Sequence, residues 1–223
     1  MEEYFFAPQQ PHEELFDEAQ QIAFRRFGHF YIRWFTDNYG GEEMRIIPLR
    51  IVLNEFKLSK SQEKIYRRNQ KKFTYTVEKT TIDADLINLF DLHKKKFTHN
   101  PPPSLAYYIG ENNHGEHEQY VKNLTFRVFD DERLVAASFL DCGKKSVSAL
   151  YAATHPDYDK YSLGIYTILL ETEYALRNDF KFYYLGYAHE KASFYDYKKQ
   201  FFGTEQFILG KNAWKPFGRF ESH

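Results

Sequence analysis

SVSALYAATHPDYDKYSLGIYTILLETEYALRNDFKFYYLGY, residues 146–187, is the stretch whose reading decides the fold. Val147 to Ala153 is apolar and reads as a strand, and His155 to Tyr161 is a polar loop. Ser162-Leu163-Gly164 then opens a helix running to Arg177, with Ile165, Ile168, Leu169 and Leu176 on one face. Phe182 to Tyr187 is a second strand. This order sets the free N–H groups of a helix start beside two strand ends. Such groups lack partners inside the helix and favour a phosphate or a developing oxyanion.

Working outward, Leu124–Asp130 and Arg133–Asp141 join Val147–Ala153 in a meander. Asp130-Asp131-Glu132 and Cys142–Lys145 supply the turns. Downstream, Glu190–Gln200 reads as a short helix and Phe207–Leu209 as a last strand. Upstream, a helix is expected from about His12 to Phe27, with acids early, Arg25-Arg26 late and Gly28 as its stop. His29–Phe35 is strand-like and Asn38–Gly41 a turn. Arg45–Phe56 is a strand in which Pro48 argues for an edge or a bulge. Residues 58–72 form a basic helix, Thr74–Thr80 a short strand and Ile82–Phe97 an amphipathic helix stopped at Asn100-Pro101-Pro102-Pro103. The class is α+β. The meander followed by α-β-α-β resembles the second half of a GNAT fold of the acyl-CoA N-acyltransferase type. A mixed, mostly antiparallel sheet flanked by helices is therefore expected, with an N-terminal helical/β extension. Residues 1–100 carry the basic helix 58–72 and residues 101–223 the transferase region, as two parts or as one compact unit.

The 223 residues are 43% hydrophobic and 19% aromatic, enough for a packed core. Net charge is −1, so nucleic-acid contact needs a local basic patch. The lone Cys142 forms no intramolecular disulfide, lacks an activating His and is read as inert. No apolar run approaches the ~20 residues that span a bilayer. The acidic start, MEEYFFAPQQPHEE, is no secretory signal, and a cytoplasmic protein without membrane attachment is expected.

Four motifs bear on chemistry, each with a plainer alternative. Ser162 is a strong N-cap type and Gly164 admits a ligand close to the backbone, but such a Ser also caps ordinary helices. Lys60, Lys64, Arg67 and Lys71 recur on one helical face and would track a phosphodiester backbone, where a solvated face is the alternative. Alternation sends Tyr183, Leu185 and Tyr187 to one side of their strand and Tyr184 to the other. A strand-borne Tyr can stack on a base or hold an ester, although with 18 Tyr and 22 Phe most aromatics simply pack. His114-x-x-His117 lies in a polar loop with no further ligand, so no metal site is expected. Phosphate-binding loops, dinucleotide fingerprints and serine-hydrolase elbows are absent.

LSKSQEKIYRRN (58–69), preceded by Pro48-Leu49-Arg50-Ile51, resembles a segment of the aminoacyl-tRNA–protein transferases of the N-degron pathway, arginyl- and leucyl-transferring enzymes. Ser148-Ala149-Leu150-Tyr151, His155-Pro156-Asp157 and Ser162-Leu163-Gly164-Ile165-Tyr166-Thr167-Ile168-Leu169 are similar to further family motifs in the same order. So are Tyr184-Leu185-Gly186-Tyr187, Tyr197-Lys198-x-x-Phe201 and Glu205. Residues 41–47 hold none of the family's clustered cysteines, so no cysteine-bound metal carries over. His155, Ala188 and Tyr195 replace the family's Asp, aromatic and Met near the expected acceptor pocket.

The resemblance implies transfer of Arg or Leu from charged tRNA, as co-substrate and without a cofactor, to the N-terminal α-amine of an acceptor protein, one with an acidic N-terminus. It assigns Ser162, Leu163, Gly164, Tyr187 and Tyr197 to catalysis. Substrate binding falls to Arg50, Lys60, Lys64, Arg67, Arg68, Asn69, Tyr151 and Lys198. Within these, the basic residues of helix 58–72 would hold phosphates, and Tyr187 or Tyr197 would position the ester. Arg50 or Lys198 would pair with the acidic acceptor side chain. Two other classes compete. A GNAT enzyme using acyl-CoA would show R/Q-x-x-G-x-G/A, of which residues 159–165 lack the first and last elements. A silent tRNA- or degron-binding relative would bind without transfer.

Overall fold

An eleven-residue strand, β5 (Glu42–Val52), lies inside the main sheet of the computed structural model, which describes residues 2–7, 12–97, 102–110 and 121–218. The strand order is β12 (Ala213–Pro216), β11 (Thr204–Ile208), β5, β10 (Phe182–His189), β9 (Ser146–Thr154), β8 (Arg133–Cys142), β7 (Lys122–Asp130) and β6 (Thr74–Lys79). β4 (Thr36–Tyr39) pairs with the start of β5 through a turn at Gly40 and Gly41. Every pairing is antiparallel except β9 with β10. That parallel pair requires a crossover, and helix α5 (Leu163–Arg177) supplies it. The fold is therefore the expected GNAT-like α+β arrangement, and strands from both the first hundred residues and the remainder build one sheet.

β8 serves two cores, its alternation shifted by a register slip near Val135, with a second slip against β9 between Phe139 and Leu140. Val135, Leu140 and Cys142 join Leu163, Tyr166 and Leu169 of α5 on one face. Leu134, Ala137 and Phe139 meet α3 (Ala84–Lys94) and α4 (Leu105–Ile109) on the other. Helix α2 (Lys60–Lys72) packs beside α5, started by a capping box in which Ser59 and Gln62 satisfy each other's backbone N–H groups. On α5, Ile168 and Leu169 are buried as expected, but Leu176 is 42% exposed. Burial pushes the Cys142 thiol up to about 12, which agrees with an inert cysteine. No helix among the described residues is long and apolar enough to cross a membrane.

The N-terminal extension departs from expectation. A strand β1 (Glu2–Phe6) precedes α1 (Glu13–Gln21), which stops at Gln21, and Ala23 turns the chain at φ +65°. Arg25 and Arg26 consequently belong to β2 (Arg25–Phe27), not to a helix end. β2 pairs with β3 (Phe30–Trp34), and β3 with β1. Successive strand residues face opposite ways, so the two arginines diverge. Arg26 enters the interior, where Nε and Nη2 donate to the two carboxylate oxygens of Asp141 at 2.8 Å. Its Nη1 donates to the carbonyls of Gly28 and Ile109, and Asn123 donates to Asp141. With every group answered, this buried pair offsets its desolvation and ties the extension to β8.

Pro48 lies in an interior strand, but where one flank of β5 has no partner among the described strands, so the edge expectation holds locally. β11 covers β5 only at Leu49–Ile51 and β4 only at Glu42–Arg45, leaving Pro48 between them. The bulge lies in the partner strand instead: β10 slips register between Tyr184 and Gly186, opposite Arg50 and Leu49, while Pro48 itself pairs with Tyr187.

Candidate active site

β9 and β10 pair only over Ser146–Ser148 and Phe182–Tyr184. Beyond that β9 stays with β8 while β10 follows β5 past its bulge, so the sheet splits. The resulting wedge opens at the carboxyl ends of two parallel strands, the usual place for a ligand crevice. Gly186, at φ +87°, absorbs the bulge and shifts the alternation by one. Tyr183 and Leu185 remain in the core against α5, whereas Tyr187 turns to Trp34 and Arg25 on the side that Tyr184 shares. The expected grouping of Tyr187 with Tyr183 is corrected by that bulge.

Arg25 enters the split from β2. Its Nη2 donates to the carbonyls of Ala149 (2.6 Å) and Leu150 (3.3 Å), where β9 has lost its partner strand. The guanidinium lies over the rings of Tyr187 at 4.9 Å and Phe27 at 5.2 Å. A Cβ on Gly186 would come within 2.4 Å of Arg25 Nη1, so glycine here serves both the turn and the arginine. Gly186→Ala is expected to destabilise the fold by about 1–3 kcal/mol, read as a lower urea midpoint. An unchanged midpoint would show that β10 can do without its bulge.

Tyrosines wall the wedge. Tyr151 stacks on Tyr108 with ring centres 4.6 Å apart, and its buried hydroxyl has no hydrogen-bond partner among the described residues. The Tyr187 hydroxyl lies near Arg25 without reaching it in hydrogen-bond geometry. The 3-10 segment Phe194–Gln200 brings Tyr195, Tyr197 and Lys198 over the carboxyl end of β10. Lys198 is half-buried, with Nζ 5.1 Å from the centre of the Tyr195 ring. Burial, and then the charge of Arg25, push its ammonium down to about 7. Beneath, Tyr183 donates to the Glu171 carboxyl, which burial pushes up to about 7.

The start of α5 lies at the same end of the sheet. The N–H groups of Leu163 and Gly164 meet no acceptor among the described residues. A Cβ on Gly164 would touch nothing, so the protein's own packing does not demand glycine there. Ser162 departs from its expected role: it ends the 3-10 turn Pro156–Tyr161 in a left-handed conformation at φ +55°, and its side chain makes no capping bond. α2 docks beside this turn, with Arg68 Nη2 and Asn69 Nδ2 donating to the Tyr161 carbonyl at 2.6 and 2.8 Å. Lys60, Lys64, Arg67 and Lys71 stay exposed. From Lys60 to Lys71 their stripe is about 16 Å long at the helical rise.

The structure thus gathers Tyr151, Tyr187, Tyr197 and Lys198 around the wedge, with Leu163, Gly164 and the basic face of α2 at the same end. Two expected binding residues are engaged elsewhere. Asn69 is fully buried and anchors α2, so it is closed to a phosphate. Arg50 is 6% exposed, paired with Glu205 at 2.7 Å and packed against Phe182 and Trp214. Gln21 and Tyr184 accept from its Nη1, so each nitrogen already has a partner and its charge is answered by Glu205. Arg25, Tyr108 and Glu171 went unread. A glutamate within the apolar run of α5 was a signal for the last, whereas Arg25 is recognisable only from its distant partners. Among the described residues no three His, Cys, Asp or Glu side chains cluster for a metal, and His114 and His117 lie outside them.

The model of a family described as arginine-tRNA-protein transferase, C terminus, matches residues 54–208. The chain belongs to that family. It is similar to the aspartate/glutamate leucyltransferase of Acinetobacter baylyi, 26% identical over 209 residues that cover 91% of this chain and 72% of the relative. The enzyme of the same name from Hahella chejuensis is 25% identical over 204 residues, covering 90% and 82%. Among solved structures, L-PGS from Bacillus licheniformis superposes with TM-score 0.50 at 12% identity, over 76% of this chain and 59% of that one. FemX gives TM-score 0.50 at 10% identity, over 88% and 69%. These two likenesses concern the fold alone. As a member of the aminoacyl-tRNA–protein transferase family the chain is an enzyme, with aminoacyl-tRNA as one substrate and a protein as acceptor. The family match spans α2, the wedge strands and the 3-10 segment that carries Lys198.

Proposed function

We propose that the protein transfers leucine from its charged tRNA to the α-amine of proteins whose N-terminal residue is aspartate or glutamate. The names of the curated relatives support both the donor and the acceptor. The observation that carries the reading is the wedge: tyrosine hydroxyls without partners among the described residues and a lysine whose basicity is lowered to about 7, beside an open helix start and a cationic helix. The carboxylates bordering it are engaged, Asp37 with His189, Asp196 with Lys199 and Glu171 with Tyr183. An apolar donor side chain suits that setting better than a guanidinium, which would meet the two cations Arg25 and Lys198.

In this reading α2 holds tRNA phosphates through Lys60, Lys64, Arg67 and Arg68. The N–H groups of Leu163 and Gly164 face the terminal nucleotide. Tyr187 and Tyr197 position the ester. The acceptor nitrogen attacks the ester carbonyl, a C–N bond forms, and the C–O bond to the ribose breaks. Neutral Lys198 takes the proton that the nitrogen must lose, and the leaving oxygen receives one in turn. Its depressed basicity makes Lys198 a better proton acceptor than a permanent counter-ion, so it is not assigned to the acceptor's side chain. The ester is already activated, and alignment contributes ~7–11 kcal/mol, so no cofactor is required. The test is incubation with mixed charged tRNAs and peptides of varied first residue, read by mass. Leucine added to Asp- and Glu-peptides is expected. Arginine addition would replace the donor assignment, and no addition to any peptide would reject transfer.

A further inference from the structure

Five arginines among the described residues are buried or half-buried: Arg25, Arg26, Arg33, Arg50 and Arg127. Four have a carboxylate within ion-pair distance. Arg26 meets Asp141, Arg33 meets Glu3, Arg50 meets Glu205, and Arg127 meets Asp83 and Glu78. Arg25 has none. Its Nη2 is taken by two backbone carbonyls, while its Nε is buried without an acceptor in hydrogen-bond geometry. A guanidinium stays charged at every physiological pH, and a cation held out of water without a counter-ion costs stability. Four of five such sites carry their counter-ion inside the chain, and the fifth lies in the substrate wedge.

We propose that Arg25 is the residue that reads the acceptor's acidic side chain, its missing counter-ion being the aspartate or glutamate carboxylate of the incoming N-terminus. This rests on the transferase reading above and assigns to Arg25 the role expected of Arg50, whose charge Glu205 already answers. The Tyr187 and Phe27 rings hold the guanidinium plane, and the Ala149 and Leu150 carbonyls fix its depth in the split. The arginine is thereby set before the ligand arrives, which lowers the ordering cost of binding. Lys198 lies close enough for Arg25 to depress its basicity, so an acceptor seated on Arg25 puts its α-amine in the neighbourhood of the proton acceptor. Arg25 is a specificity-determining residue and the rest of its contacts are positioning. The competing role is structural: a guanidinium that merely bridges β9 to β10 where the sheet splits.

The two roles part on a ratio. Peptides identical except for Asp or Asn at the first position are compared as acceptors, by kcat/KM, with wild type, Arg25→Gln and Arg25→Lys. Wild type is expected to prefer Asp by about 10²-fold, the scale of a desolvated charge pair. Arg25→Gln should collapse that preference to below about tenfold, and Arg25→Lys should keep part of it. Equal loss on both peptides, with the ratio preserved, would assign Arg25 to the scaffold and overturn the proposal. Thermal melting of both variants separates misfolding from lost recognition. Calorimetric binding of the same two peptides to wild type and Arg25→Lys supplies a readout that needs no turnover. If wild type transfers to neither peptide, the transferase reading fails, and the Asp-over-Asn binding difference still decides whether Arg25 binds a carboxylate.

Discussion

Replacing Lys198 with methionine is expected to slow transfer by about 10²–10⁴-fold, the usual contribution of a positioned acid or base. The acceptor α-amine has an ordinary pKa near ~8, so at neutral pH it arrives mostly protonated and must lose a proton to attack. Lys198, pushed down to about 7 by burial and by Arg25, is about half neutral there and able to take it. In wild type kcat/KM should therefore rise with pH through about 7. Lys198→Met should lose that limb and keep only the one near ~8 that belongs to the substrate. Lys198→Arg preserves the charge but cannot accept a proton, so it should be as slow as the methionine variant. Rescue by arginine would instead make Lys198 a counter-ion.

Stability moves the other way. The folded-state pKa of Lys198 lies below the ordinary lysine value, so folding is disfavoured at any pH below that value. The penalty grows as pH falls from about 10 to about 7 and is constant below. Methionine removes it. Lys198→Met should melt higher than wild type at pH 7, with the gap closing toward pH 10, a gain in stability set against lost activity. A variant both slow and less stable would mean that Lys198 supports the fold, and its slowness would carry no mechanistic weight.

What could be read from sequence was local. The meander, α5 and α2 follow from periodicity, turn residues and charge pattern, each contained within a few positions. What could not be read depends on partners far along the chain. The charge order of residues 12–27 suits a helix end, yet Arg26 answers to Asp141 115 residues away and Arg25 to Ala149 124 residues away. Arg50 looked free because Glu205 lies 155 residues downstream. Gly186 did carry a local signal, since a glycine inside a strand marks a bulge, and reading it would have set Tyr187 on its true face. Ser162 misleads for a different reason. The residues before it wind into a 3-10 turn, so the backbone enters α5 left-handed and the hydroxyl never reaches a capping position.

Reversing Lys64, Arg67 and Lys71 to glutamate together is expected to weaken tRNA binding by about 10³-fold at physiological salt. Each reversal removes a phosphate contact and adds a repulsion, and counterion release makes such contacts the main source of affinity for nucleic acid. The slope of log affinity against log salt should fall by about 2–3, near 0.7–0.9 per lost phosphate. The fold should survive. All three side chains are exposed, and the ion pair broken among the described residues, Arg67 with Glu63, is a solvent-facing helix pair of little energetic worth. Arg68 is left in place because its guanidinium holds the Tyr161 carbonyl, and losing it would blur binding with docking of α2. Peptide binding to the wedge should be untouched, since these residues lie on the solvent face of a different helix. Should the triple variant bind tRNA as tightly as wild type, with an unchanged salt slope, the cationic face of α2 is a solvated surface and the tRNA must approach the wedge from another side.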